Sequence, residues 1–368
     1  MFFDAPVFGV SPPVQTFTVS TLLSCALGFP VYVLLSRLQV VDAPNPRSSH
    51  TEPTVRGGGI AILLAFVAVI CWIPKRQDGA LIFVLLAAMA FLSVISFIDD
   101  LKSLPVGIRF GCQAFVGLVA LFTLRYHFSH VSLLGSISSG WLHGAEWLVL
   151  FFWIAGYTNA FNFMDGINGI AATQCLVTAL GSGILAGVVA HRWADPPVIF
   201  SFALAGAAAG FLPYNFPQAR MFMGDVSSAP IGFLLATLAL WIAAAYGRSL
   251  IVPLALLHAN FILDTSITLL RRIIRRERWR ESHREHFYQR LVRAGKTHVF
   301  VTNWETGLQC LVLLLALGYV LHRNLLFQIS VVLAVTFLWL VFFFYCEIQL
   351  RKSSSLNLAA RSDGMALE

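Results

Sequence analysis

The feature that most restricts the fold of this chain is a series of long, uninterrupted apolar runs. An α-helix rises 1.5 Å per residue, so about 20 apolar residues are needed to cross the roughly 30 Å hydrocarbon core of a bilayer. Strands of an outer-membrane barrel would instead alternate polar and apolar residues. We therefore predict an all-α fold, a polytopic integral membrane helical bundle of about eleven transmembrane helices. The predicted spans lie near residues 14–36, 57–73, 80–98, 107–125, 145–161, 167–190, 197–214, 229–246, 249–270, 304–321 and 325–348.

The composition excludes most other classes of protein. Apolar residues make up 58% of the 368-residue chain and charged residues 12%, against about 45–50% and about 25% in soluble domains. The six cysteines are scattered through apolar stretches without a CxxC pair, which is typical of buried thiols rather than of metal or disulfide sites. The first residues lack a basic segment, so no cleavable signal peptide is predicted. We expect residues 1–368 to form a single membrane domain.

Basic residues are distributed unevenly between the two sides of the predicted bundle. If successive loops alternate between the sides, nineteen of the 25 Lys and Arg residues fall on one side and six on the other. Because cytoplasmic loops carry the excess of Lys and Arg, the richer side is predicted to be cytoplasmic. This places the N-terminus in the periplasm and the C-terminus in the cytoplasm. It also places a basic loop, residues 271–303, on the cytoplasmic side.

The segments rich in polar side chains are predicted to lie on that same side. They are residues 42–59, 99–109, 159–168, 215–228 and 271–298. A channel or an alternating-access carrier would be expected to place ionisable groups near the middle of the membrane in both halves. Polar segments on one side favour an active site at the cytoplasmic face.

Asp99 and Asp100 form an acidic pair at the end of the third span. Adjacent carboxylates at the negative end of a helix dipole are unfavourable, because they are repelled both by each other and by the dipole. A cation should compensate them: a metal ion, a nearby Lys or Arg, or a substrate proton. A solvated acidic loop is the alternative interpretation.

Two further segments combine carboxylate and amide oxygens with glycine turns. Asn159 and Asn162 share a helix face, Asp165 follows them, and Asp225 comes after Gly224 at the start of a new apolar run. Such oxygen ligands suit Mg²⁺ better than zinc. The asparagine segment could instead satisfy its own backbone at a helix break, and Asp225 could cap the helix that it begins.

Basic and hydroxyl side chains in two loops offer donors suited to phosphate. The loop after the first span contains Arg47, His50 and Arg56, and the loop after the ninth contains HREHFYQRL, residues 283–291. The arginines of the second loop could equally hold anionic lipid headgroups. Asp264, near the end of the ninth span, is the type of intramembrane acid that is usually functional, or else paired with an arginine.

The polar motifs resemble those of the bacterial polyprenyl-phosphate N-acetylhexosamine-1-phosphate transferases. They are, in order, SFIDD, NAFNFMDGINGIA, NFPQARMFMGD and HREHFYQRL. Together with DAPNPRSSHTEPTVRGGGIAI, the last of them is most similar to the branch that initiates O-antigen synthesis. The resemblance implies transfer of a sugar 1-phosphate from a UDP-sugar to undecaprenyl phosphate, which yields UMP and undecaprenyl-diphospho-sugar. It also implies Mg²⁺ as cofactor, with Mn²⁺ as a substitute, and the bacterial inner membrane as location.

The resemblance implies a role for each matched residue. Asp99 and Asp100 would be the catalytic or lipid-phosphate-positioning pair, and Asn162 and Asp225 the metal ligands. The substrate-binding residues would be Arg47, His50, Arg109, Asn159, Asp165, Asn168, His283, Arg284, His286 and Arg290. The expected partners are the UDP-sugar, undecaprenyl phosphate and the lipid bilayer, with no nucleic acid; a homodimer is compatible with them.

Two alternatives remain open at this point. The peptidoglycan enzyme that transfers phospho-MurNAc-pentapeptide belongs to the same group, and the similarity of HREHFYQRL to the O-antigen branch disfavours it by analogy. A transporter or flippase for a phosphorylated lipid could use the acidic pair and the basic loop without making bonds.

Overall fold

Helices account for nearly all of the structure, a computed structural model that describes residues 11–43, 52–72, 78–102, 104–128, 140–277 and 284–365. Each predicted span corresponds to a helix. One short helix that was not predicted lies between the ninth and tenth spans. The helices are α1 (Pro12–Arg37), α2 (Ile60–Trp72), α3 (Gly79–Lys102), α4 (Val106–His127), α5 (Gly140–Met164), α6 (Ile170–Ala190), α7 (Pro196–Asn215), α8 (Asp225–Tyr246), α9 (Ile251–Ile274), α10 (Phe287–Arg293), α11 (His298–Leu321) and α12 (Leu325–Met365). The predicted polytopic helical bundle is confirmed.

Ten of the described helices are long and apolar enough to cross a membrane. The chain is therefore an integral, multi-pass membrane protein. The exception among the predicted spans is α2, which has 13 residues. A helix of that length rises about 20 Å, less than the hydrocarbon thickness of a bilayer.

The central helix of the bundle is α8. Its membrane-spanning residues are 94% buried, because α8 packs against α2, α3, α4, α5, α6, α7 and α9. Apolar side chains of a membrane helix can face lipid as well as protein, so this burial results from the packing of the neighbouring helices. The N-terminal end of α8, which carries Asp225, is therefore fixed within the bundle.

Two short strands interrupt the helical architecture. Strand β1 (Val41–Asp42) pairs antiparallel with β2 (Thr54–Val55), and β2 also forms a parallel bridge to Met221. The backbone N–H of Phe222 donates a hydrogen bond to the Val55 carbonyl oxygen at 2.8 Å. The loop after α1 is thereby joined to the segment that leads into α8.

The predicted basic loop, residues 271–303, contains the end of α9, all of α10 and the start of α11. The ring of Phe287 stacks on Phe343 of α12 with centroids 4.3 Å apart. Nη1 of Arg290 donates to Oε2 of Glu347, also on α12, at 2.7 Å. These contacts hold α10 against α12.

Candidate active site

Five of the predicted site residues line one cavity. It lies between the ends of α3 and α5 and the starts of α4 and α8. Its polar lining includes Asp99, Arg109, Asn159, Asn162 and Asp225. The fold therefore brings together three motifs that are far apart in the sequence.

The carboxylate of Asp99 is held by a donor at each oxygen. Nη1 of Arg109 donates to Oδ2 at 2.9 Å, and the backbone N–H of Leu104 donates to Oδ1 at 2.7 Å. The Asp99 side chain is only 9% exposed, so these partners replace most of its hydration. Asp99 consequently orients Arg109, which borders the cavity.

Arg56 is a site residue that the motif-based prediction did not include. Its Nη2 lies 2.8 Å from Oδ1 of Asp100 and 3.1 Å from Oδ1 of Asp225. Burial opposes the guanidinium charge, but the nearby carboxylates outweigh burial and raise the pKa of Arg56. The cation expected beside the acidic pair is thus supplied by two arginines, Arg109 for Asp99 and Arg56 for Asp100. That expectation is the sequence signal that could have identified Arg56.

A left-handed backbone conformation at Gly224 brings the Arg56 loop and α8 together. Gly224 has a φ of +79°, and a Cβ at this position would lie 2.8 Å from the backbone nitrogen of Gly57. Any larger residue would be strained and would displace that loop. The backbone N–H of Gly224 also donates to the Asp165 carboxylate. The turn after α5 is thereby joined to the segment that precedes α8.

Asp165 lies in an acidic environment. Burial and the negative charge of Asp225 raise the pKa of Asp165 to about 7, although Arg56 and the Gly224 N–H oppose the shift. Asp100, Asp165 and Asp225 therefore share the positive charge of one guanidinium. A bound divalent cation would relieve the repulsion among them.

The donor set fits a magnesium ion held by few protein ligands. Asn162 and Asp225 line the same cavity, and Nδ2 of Asn162 donates to Oγ of Ser228 at 2.8 Å. With its nitrogen used in this way, the Asn162 amide oxygen is the atom left to bind a metal. Among the described residues, no three His, Cys, Asp or Glu side chains form a metal cage. Mg²⁺ needs no such cage, because it keeps several waters and binds substrate phosphates.

Amide side chains fix the loop between α5 and α6. Asn159 donates to a carbonyl of its own helix at 2.9 Å, and Asn168 donates to a carbonyl in the segment before α8 at 3.2 Å. Asn215 joins these two segments directly, since it accepts from the N–H of Gly169 at 2.9 Å and donates to the carbonyl of Met221 at 3.0 Å. Asn215 begins the motif NFPQARMFMGD, but the motif alone did not predict this bridging role.

His286 is oriented by Asp264. Nδ1 of His286 and Oδ1 of Asp264 lie 2.9 Å apart, and the backbone N–H of Phe287 donates to Oδ2 of Asp264 at 2.9 Å. His286 and Asp264 are 5% and 1% exposed. A carboxylate in this position fixes the tautomer and orientation of an imidazole. The partner of Asp264 is therefore a histidine, and not the arginine of the alternative interpretation.

Asp264→Asn is expected to lower kcat about 10- to 100-fold, the usual effect of removing an orienting carboxylate. The reason is that the His286 imidazole loses the acceptor that fixes its tautomer and orientation. The measurement is kcat for UMP release. The matched control is Asp78→Asn, which breaks the His127–Asp78 pair at 2.6 Å and should leave kcat unchanged. A D264N enzyme with the parental kcat would refute this role.

The remaining predicted residues are placed as follows. Arg47, His50 and His283 lie outside the described residues. The carbonyl of Arg284 accepts from Arg293 at 3.3 Å. Arg290 pairs with Glu347 and is not among the residues that line the cavity. Substrate binding by these residues stays a prediction.

Comparison with known proteins places the chain in a family. The profile of glycosyl transferase family 4 matches residues 82–243, which contain all of the residues that line the cavity. A decaprenyl-phosphate N-acetylglucosaminephosphotransferase of Mycobacterium tuberculosis is 32% identical over 296 residues, which cover 73% of this chain and 73% of that protein. The chain belongs to glycosyl transferase family 4. The resemblance inferred from the motifs is confirmed.

Transferases of two different names are similar to this chain. A probable undecaprenyl-phosphate N-acetylglucosaminyl 1-phosphate transferase of Bacillus subtilis is 27% identical, over 77% of this chain and 78% of that protein. A phospho-N-acetylmuramoyl-pentapeptide-transferase of Geobacillus kaustophilus is 28% identical, over 78% of this chain and 94% of that protein. Both kinds are transferases, so the choice between them concerns the donor.

Proposed function

We propose that this chain transfers an N-acetylhexosamine 1-phosphate from a UDP-sugar to undecaprenyl phosphate, which releases UMP and forms undecaprenyl-diphospho-sugar. This would be the first membrane step of O-antigen or related surface polysaccharide synthesis, at the cytoplasmic face of the bacterial inner membrane. The observation that carries the proposal is the convergence of Asp99, Asn162 and Asp225 on one cavity.

In the proposed reaction an oxygen of undecaprenyl phosphate forms a bond to the sugar-linked phosphorus of the donor. The bond from that phosphorus to the bridging oxygen breaks, and UMP leaves with the bridging oxygen and its electron pair. Because both reactants are anionic, charge compensation is the main requirement. A phosphate monoester has a second pKa of about 6, so the acceptor is mostly ionised at neutral pH and needs little help from a general base.

Among the described residues, two arginines would bring positive charge to the acidic residues of this site. Arg109 borders the cavity beside apolar side chains of α3 and α4, including Leu92 and Val106, and this setting suits the phosphate of a prenyl lipid. The Arg56 side chain is 31% exposed next to Asp225 and suits the donor diphosphate. Asp99 and Asp100 would act mainly by positioning these two guanidinium groups.

Asn162 and Asp225 would hold the predicted Mg²⁺, or Mn²⁺ in its place. The ion would supply neutralisation of the charge that develops on the donor diphosphate. Asp165 and Asn168 lie on the loop that Gly224 and Asn215 fasten to the site, where they would shape the nucleotide pocket.

Transfer of phospho-MurNAc-pentapeptide is a second candidate, because the Geobacillus kaustophilus relative is matched over 94% of its length. The deciding experiment supplies purified protein with undecaprenyl phosphate, Mg²⁺ and single UDP-sugars, including UDP-GlcNAc, UDP-GalNAc and UDP-MurNAc-pentapeptide. We expect UMP release and a lipid-linked product with an N-acetylhexosamine donor. Release with UDP-MurNAc-pentapeptide alone would establish the second candidate. Translocation of the lipid phosphate without UMP release from any donor would establish a flippase.

A further inference from the structure

A cluster of polar side chains is buried between α6, α9 and α11, away from the cavity. It contains Gln174, Asn260, Glu305 and Gln309, which are 4%, 2%, 3% and 1% exposed. Thr306 borders the same space. Polar groups at such depth in a membrane protein are costly unless they are paired, and they usually mark a functional site.

The amide nitrogens of this cluster are used as donors, and oxygens are left over. Nδ2 of Asn260 donates to Oε2 of Glu305 at 2.9 Å, while the side-chain nitrogens of Gln174 and Gln309 both donate to the carbonyl of Leu257. Four buried oxygens have no hydrogen-bond partner in the described part of the chain: Asn260 Oδ1, Glu305 Oε1, Thr306 Oγ1 and Gln309 Oε1. The Thr306 hydroxyl can donate as well as accept, but the other three oxygens need a donor or a cation.

The charge of the cluster also calls for a cation. Within the described ranges Glu305 forms no ion pair, and the charged group that acts on it electrostatically is Asp264, which is itself acidic. Tyr288 and Cys346, the other titratable groups that interact with Glu305, carry no positive charge. An unpaired carboxylate inside a membrane is strongly unfavourable, and one positive charge would balance Glu305.

The size of the space favours a small ion. The unpaired oxygens belong to residues that line one narrow space, and this space does not admit a sphere as large as a water molecule. Na⁺ without its hydration shell is smaller than water, whereas K⁺ is not. Carboxylate and carbonyl oxygens are the ligands that can replace the hydration shell of such an ion.

We propose that Asn260, Glu305, Thr306 and Gln309 form a buried binding site for one Na⁺ ion. The ion would join α9 to α11. Because Oγ1 of Thr302, one turn before Thr306, donates to the carbonyl of Asn168 at 2.7 Å, the site would also stabilise the loop between α5 and α6. This role does not depend on the proposed reaction.

The test measures thermal unfolding of the full-length protein in detergent, followed by tryptophan fluorescence, in NaCl, KCl or choline chloride at equal ionic strength. Ligand that binds only the native state raises Tm, so we expect a saturable rise in NaCl alone, on the order of 3 °C. Glu305→Gln keeps the shape of the side chain and should abolish this rise. Glu146→Gln is the matched control, because Glu146 is equally buried but faces Arg125 at 4.0 Å; it should retain the rise.

Binding of ²²Na⁺ to the unmodified protein by equilibrium dialysis keeps the proposal testable if E305Q does not fold. We expect one ion per chain that excess K⁺ does not displace. Absence of ²²Na⁺ binding, equal Tm values in the three salts, or a sodium effect that persists in E305Q would each overturn the proposal. A Tm that depends on pH but not on Na⁺ would show that Glu305 holds only a proton, and would overturn it too. None of these readouts uses transferase activity, so failure here leaves the proposed function unaffected.

Discussion

Asp225→Asn is expected to reduce UMP release from the donor by about 100- to 1,000-fold, the range seen when a main electrostatic group is removed from an active site. The substitution keeps the shape of the side chain but removes the negative charge that would hold Mg²⁺. It also removes one of the two carboxylates that hold Arg56. The loss should therefore appear mainly in kcat and should not be restored by raising the Mg²⁺ concentration within a practical range.

The control for D225N is Asp195→Asn. Asp195 precedes α7, where its carboxylate accepts from the hydroxyl of Tyr246 at 3.1 Å and does not border the cavity. We expect D195N to retain activity within about twofold, as surface substitutions away from such sites usually do. Parental activity in D225N, measured on protein of parental Tm, would refute the assignment of Asp225 and with it the proposed metal site.

Arg56→Gln is expected to produce the second large effect, a loss of about 100-fold in kcat/KM, because it removes a partly buried cation that pairs with two carboxylates. The affinity for a divalent metal ion should increase instead. Arg56 pairs with Asp225 and would compete with an ion bound there, so its removal should increase the affinity for Mn²⁺ in the absence of substrate. Arg56→Lys restores the charge but not the contact with both Asp100 and Asp225, so it should recover only part of the activity.

Loss of activity together with tighter Mn²⁺ binding distinguishes a role of Arg56 in the active site from a role in fold stability alone. The measurements are UMP release and direct Mn²⁺ binding by electron paramagnetic resonance. Arg220→Gln is the control, since Arg220 is exposed in the same segment that leads into α8 and should leave both measurements unchanged. Loss of activity with unchanged or weaker Mn²⁺ affinity would contradict the shared use of Asp225.

Hydropathy was sufficient to predict the ten helices long enough to cross a membrane, because a transmembrane helix is specified by the residues within its own span; it did not predict the short α10. Motif order predicted that Asp99, Asn162 and Asp225 belong to one site, and these residues line one cavity. The bounds of α12 could not be predicted in this way, since the helix continues past the apolar run to Met365. Polar residues beyond the membrane carry no hydropathy signal.

The pairing of charges could not be read from the sequence. Which carboxylate meets Arg56 depends on the bridge between β2 and Met221 and on the rotation of α8 about its axis, and both are set by tertiary packing. The pair of Asp264 and His286 likewise depends on how α10 returns to α9. Such contacts join segments that are distant in the chain, so no local sequence pattern predicts them.

The backbone hydrogen bond between Val55 and Phe222 has a consequence for biosynthesis. Membrane helices leave the ribosome in chain order, with the N-terminal ones first. The loop that carries Arg56 is therefore made before its partners: the Val55 carbonyl lacks Phe222 and the arginine lacks Asp225 until the six helices α2 to α7 and the start of α8 have followed. A nascent chain that stops at α7 has no pocket, and catalytic competence arises only late in translation.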